Sequence, residues 1–138
     1  MKKLILILLL CCVSIISYAD GVEYEIVAYR AYNENSYTLT DGHVSLKDGY
    51  LFVFNGTDKL ISFYKIVSTQ EVSSVKSILE GYEIILGSNG EPVDKGPRIT
   101  ITVKEDTIRN FITWQINLKG GYIMLKTKNY YNIIPDNE

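Results

Sequence analysis

The chain has 138 residues, with 16 acidic and 14 basic side chains, two cysteines and a formal charge of −2. Its first nineteen residues read as a removable export signal, and without them 119 residues remain, with a charge of −4 and no cysteine. That length makes a single domain. The acidic balance lacks the basic footprint of a nucleic-acid binder, and a cysteine-free domain excludes a disulfide scaffold, a thiol nucleophile and thiolate metal sites.

The signal is carried by Lys2 and Lys3, the unbroken apolar run Leu4 to Val13, and Ser17-Tyr18-Ala19, which sets small residues at the −3 and −1 positions of a cleavage site before Asp20. The run is shorter than the roughly 20 apolar residues of a spanning helix, and no second one follows. Cys11 and Cys12 are preceded by Leu10 and Cys11, not by the small residue of a lipidation box. The expectation is a bacterial protein exported to the periplasm or the cell exterior without a lipid anchor or membrane span, its mature domain being residues 20–138.

In chain order, Val22–Tyr32 fits a strand with Tyr24, Ile26 and Ala28 on one side and Glu23, Glu25, Val27 and Tyr29 on the other. Tyr37–Phe54 contains Asp41-Gly42 and Asp48-Gly49 between short β-prone runs. Asp-Gly suits a two-residue hairpin turn, whose central residues need positive φ, so a three-stranded meander is expected. Its register pairs Lys47 with Tyr50, Leu46 with Leu51, Val44 with Val53, Leu39 with Val44 and Tyr37 with Leu46. One face then holds Tyr37, Leu39, Val44, Leu46, Leu51 and Val53, and the other carries an unexpected row of rings, Tyr50, Phe52 and Phe54.

Lys59–Val67 has apolar residues on both faces and reads as a covered strand. Ser68-Thr69-Gln70-Glu71 has capping-box spacing, Val72, Val75 and Leu79 follow at helical intervals, and Gly81 stands where a helix C-terminus wants glycine. This predicts a helix at about 69–80, lying over the ring row. Gly87–Pro97 reads as a long loop.

Arg98–Val103 alternates, and a loop at Lys104–Thr107 pairs Val103 with Ile108. Ile99, Ile101, Val103, Ile108, Ile112, Trp114 and Ile116 then share an apolar face. A turn at Lys119-Gly120 extends it by pairing Ile116 with Ile123 and Trp114 with Leu125. The tail after about 129 is expected to fray. The whole is predicted to be mainly β, a small antiparallel β-barrel or two-sheet sandwich of seven or eight strands with one short helix; an open antiparallel sheet with a helix on one face is the alternative.

No phosphate-binding loop, dinucleotide fingerprint, zinc motif or nucleophile elbow occurs, and His43 is the only histidine, so a catalyst is not expected and no cofactor or metal is implied. The compositional excess is aromatic: ten tyrosines, four phenylalanines and one tryptophan in the mature domain. Such rings suit packing and, where exposed, contact surfaces. Tyr29, Tyr32, Tyr37, Tyr50, Phe52 and Phe54 are the candidate contact residues. Asp106-Thr107-Ile108 has the Asp-Ser/Thr-apolar pattern of bacterial O-glycosylation and marks Thr107. The reading is an exported, non-catalytic binding module holding a small or apolar ligand in a barrel interior or mouth; the alternative is a protein-interaction module, an inhibitor or envelope-assembly component, using an aromatic sheet face or edge strand.

Overall fold

In the computed structural model, which describes residues 21–134, alternation wins over every other local signal. Nine antiparallel strands follow one another: β1 (Gly21–Ala31), β2 (Thr38–Leu39), β3 (Gly42–Lys47), β4 (Tyr50–Asn55), β5 (Leu60–Ser73), β6 (Lys76–Leu86), β7 (Pro92–Asp106), β8 (Phe111–Leu118) and β9 (Gly121–Ile134). Neighbours along the chain pair from β3 to β9, and β9 returns to β1, closing an eight-stranded barrel to which β2 adds one short strand. Barrel, not sandwich or open sheet, is therefore the architecture. The residues expected to form an export signal lie outside the described ones.

The Asp48-Gly49 hairpin forms as expected. Asp48 and Gly49 have φ of 56° and 82°, and Lys47 pairs with Tyr50, Leu46 with Leu51 and Val44 with Val53. Asp41-Gly42 does not make the other hairpin. β2 and β3 both lie along β1, with Leu39 opposite Ala28 and Val44 opposite Tyr24, so this Asp-Gly is a kink within one strand path. Tyr37 and Leu39 thereby leave the expected core face, and Leu39 is 86% exposed. The reversal falls earlier, at 32–37, where the Glu34 amide donates to the Ala31 carbonyl and the Ala31 amide to the Glu34 carboxylate.

The predicted helix at 69–80 is absent; that stretch is the end of β5, a turn at 74–75 and the start of β6. Its Ser, Thr and Val residues are indifferent helix formers, and Leu79 is buried because it alternates with buried Ser77 and Gly81 on the inner side of β6. Gly81 has a role unrelated to ending a helix. β5 crosses so closely that a Cβ here would collide with the Lys65 carbonyl.

Similarly, only 87–91 of the expected loop is a turn, since β7 begins at Pro92. β7 also runs on to Asp106, so Val103 faces Trp114 in place of Ile108. The shift is an even number of residues, and face assignments survive it: Ile99, Ile101, Val103, Ile112, Trp114 and Ile116 are all buried. Ile108 alone is lost to the turn, 89% exposed. The pairs Ile116–Ile123 and Trp114–Leu125 are as expected. Of the tail expected to fray after about 129, residues 130–134 are strand, since β9 continues to Ile134 with Tyr131 beside Tyr24.

The barrel interior is filled by side chains, as eight strands allow. Trp114, Tyr24 and Tyr64 occupy it with branched aliphatics from every long strand. Tyr24 meets Trp114 edge-on at 5.4 Å, and the indole Nε1–H donates to Thr127 Oγ1 at 3.0 Å.

Candidate functional site

Alternation that fills the barrel inward sends the complementary residues outward, and two clusters of rings result. The first lies on β3, β4 and β5. Register sets Phe52 beside Phe63, Tyr50 beside Lys65 and His43 beside Phe54. Phe52 and Phe63 stack at 4.6 Å and 15°, Phe54 extends the row at 6.2 Å from Phe52, and Tyr50 closes on Phe63 at 5.2 Å. His43 stacks on Phe54 at 4.5 Å. The rings form a tilted but continuous platform on the outer wall.

Each platform ring is half-buried. Because the segment expected to cover them is a strand hairpin and not a helix, no described element lies over them. Charge sits at the rim: Lys65 Nζ lies 4.4 Å from the Tyr50 ring, and the His43 nitrogens face Glu23 at 3.1 Å and Asp58 at 3.7 Å. Sequence reasoning found Tyr50, Phe52 and Phe54. It missed Phe63, whose strand has apolar residues at alternating and adjacent positions, so that only the pairing with β4 assigns its face.

The second cluster lies on β1, the 32–37 connection, β8 and β9. Arg30 stands over Tyr37 and Tyr122, 5.7 Å from each ring centre, and Lys126 lies 4.4 Å from Tyr37 and 5.4 Å from Phe111. Hydrogen bonding to Tyr122 raises the pKa of Arg30. Hydrogen bonding to Glu25, at 3.1 Å, likewise raises that of Lys128. Tyr32 is exposed against Tyr122, their centres 6.2 Å apart. Tyr37 and Tyr32 thus come together, but the Tyr37 ring is already occupied by two cations.

Tyr29 joins neither cluster. Register shifts in β1 between Tyr24 and Ala28 change its phase, placing Tyr29 opposite buried Leu125 and against the core. A bulge of this kind leaves no mark in a simple alternating pattern. Thr107 is exposed at the β7–β8 turn. The neighbouring Asp106 carboxylate accepts from the Arg109 amide, the Arg109 guanidinium and the Ile108 amide, which hold its pKa below the usual carboxylate range.

An open groove of about 420 Å³ runs between β7 and the β8–β9 turn, lined by residues that include Glu80, Pro97, Arg98, Thr100, Asn117 and Lys119. Among the described residues no group of three or more His, Cys, Asp or Glu side chains is arranged to hold a metal, and no helix is long and apolar enough to cross a membrane. Comparison with known protein families, curated proteins and solved structures finds no match to this chain.

Proposed function

We propose that the mature domain is an exported, non-catalytic protein-interaction module whose contact surface is the outer ring platform of β3–β5. The observation that supports this reading is the row of rings Tyr50, Phe52, Phe54 and Phe63, only partly buried on the barrel wall with no described element over it. A contiguous apolar surface with a polar rim is the composition of a recognition patch, and apolar burial is worth about 25 cal/mol per Å² to whatever covers it.

Three of the four principal rings are phenylalanines, which lack the polar tip that hydrogen-bonds sugar hydroxyls. A flat apolar patch on another exported protein matches them better than a saccharide does. The interior reading has less support, since Trp114, Tyr24 and Tyr64 already fill the middle of the barrel.

The test is affinity capture from the native envelope with residues 20–138, identifying both proteins and small molecules by mass spectrometry. A protein captured by the wild-type domain and lost with Phe52→Ser or Phe63→Ser, each with wild-type circular dichroism, supports the reading. Capture indifferent to both substitutions, or a small molecule retained from the interior with no protein, overturns it.

A further inference from the structure

The ladder between β7 and β8 stops short of the one between β7 and β6. It ends where Thr100 meets Asn117, while β7 runs back along β6 to Pro92 and β8 turns at Leu118 into β9. The two paths diverge there, and the open groove of about 420 Å³ is the space left between them. That volume lies within the range of small-molecule sites. The base of the groove is apolar: Ile99 is buried, and Leu118 packs against the core.

The polar groups of the groove are mostly donors. Arg98 stands on the β7 wall and Lys119 on the β8–β9 turn opposite, and among the described residues the side chain of neither has an ion pair, a hydrogen bond or a ring contact. Between them runs a relay of hydrogen bonds. Gln115 Nε2 donates to Asn117 Oδ1 at 2.9 Å, and Asn117 Nδ2 donates to Thr100 Oγ1 at 3.1 Å. Both links point the same way, so the Thr100 hydroxyl proton and the second amide proton of Asn117 are left to give to a ligand. Glu80 is the one acidic side chain lining the groove, and Ser68 Oγ donates to it at 3.4 Å. Two cations against one carboxylate leave a single positive charge uncompensated.

We infer that the groove binds a small organic monocarboxylate with an apolar body. Arg98, Lys119 and the Thr100 hydroxyl hold the carboxylate, and the body lies on Ile99, Leu118 and Pro97. One negative charge balances the groove. A phosphate dianion would exceed that balance beside Glu80 and leave the apolar base uncovered, and a neutral ligand would cover two cations without a counter-charge. A peptide strand is poorly matched to this edge, since Pro97 has no N–H for a ladder. No aromatic side chain is among the lining residues, so a sugar has nothing to stack on. The site is separate from the ring platform, which lies on β3–β5.

The test titrates sodium hexanoate, octanoate and benzoate into isotope-labelled residues 20–138, with the corresponding amides as uncharged counterparts, and follows backbone amide shifts by nuclear magnetic resonance. At least one carboxylate should bind saturably, move the Ile99, Thr100 and Leu118 amides most, and bind about tenfold more tightly than its amide. Arg98→Gln and Lys119→Gln replace exposed side chains and should each weaken that binding about tenfold, with wild-type circular dichroism. Glu80→Gln should tighten it by removing the opposing charge, and Phe52→Ser should leave it unchanged. The absence of a saturable shift with all three carboxylates, equal binding of the amide, or indifference to both Arg98→Gln and Lys119→Gln would overturn the inference. Weaker binding in Glu80→Gln, displacement of the carboxylate by an equal concentration of inorganic phosphate, or loss of binding in Phe52→Ser would overturn it as well, the last by moving the ligand to the ring platform.

Discussion

Trp114 offers the sharpest test of how the barrel is held together, because three separable interactions meet at one side chain. It is 1% exposed, its Nε1–H donates to Thr127 Oγ1 at 3.0 Å, and its ring meets Tyr24 at 5.4 Å. Trp114→Phe keeps a ring against Tyr24 but removes the hydrogen bond, worth about 1 kcal/mol, and leaves part of the indole space empty, at about 1–2 kcal/mol more. The expected loss is about 2–3 kcal/mol, against about 3–5 kcal/mol for Trp114→Ala. Thr127→Val strands the indole N–H in an apolar interior and should cost about 1–3 kcal/mol.

The two conservative changes act on one bond, so the double variant should be less destabilised than the sum of the singles by about 1 kcal/mol. Urea unfolding of residues 20–138, followed by far-ultraviolet circular dichroism, measures all four proteins. A Trp114→Phe loss within about 0.5 kcal/mol of zero, or an additive double variant, would refute a packed interior anchored by this bond.

Other consequences can be measured with the same domain. Gly81→Ala should destabilise severely, by about 3 kcal/mol or more, because the added methyl meets the β5 backbone; Gly90→Ala, at a position where a Cβ touches nothing, should cost about 1 kcal/mol for its positive φ alone. Thermal melts of the two variants provide the comparison, and equal losses would count against the close β5–β6 crossing. Ser77→Ala should be neutral or stabilising by up to about 1 kcal/mol, since the fully buried hydroxyl has no hydrogen-bond partner; a loss above that would show that the hydroxyl is satisfied in solution. Burial pushes the Tyr64 pKa up from its ordinary value of 10.0. The folded state then holds the phenolic proton more tightly than the unfolded chain, and stability falls as pH rises above about 10 and levels off once the folded-state pKa is passed. Urea midpoints between pH 9 and 12 should show a shallower alkaline fall for Tyr64→Phe, and parallel curves would contradict this.

Much of the wall was legible because a strand's two faces are written at adjacent positions. Val44, Leu46, Leu51, Val53, Ile99, Ile101 and Trp114 could be assigned inward from alternation alone, and the assignment survived even where the register of β7 on β8 was misplaced, since an even slip preserves the face. Tyr50, Phe52 and Phe54 were legible for the same reason, as rings on the side where polar residues were due. The helix expected at 69–80 was misread because a capping-box pattern and three apolar residues at helical spacing are local signals that β5 and β6 override by pairing with each other and with β7.

Alternation and turn chemistry thus determined, from the sequence alone, that the chain is β-rich, which residues of most strands face inward, and that Asp48-Gly49 and Lys119-Gly120 reverse it. Tertiary structure decided the rest. Whether Asp41-Gly42 turns or kinks depends on β1 needing a partner along its length, closure depends on β9 meeting a strand a hundred residues earlier, and the uncovered state of the ring platform depends on a helix that does not form. Each is a pairing between distant segments, whose loop-closure cost and burial gain are properties of the folded whole.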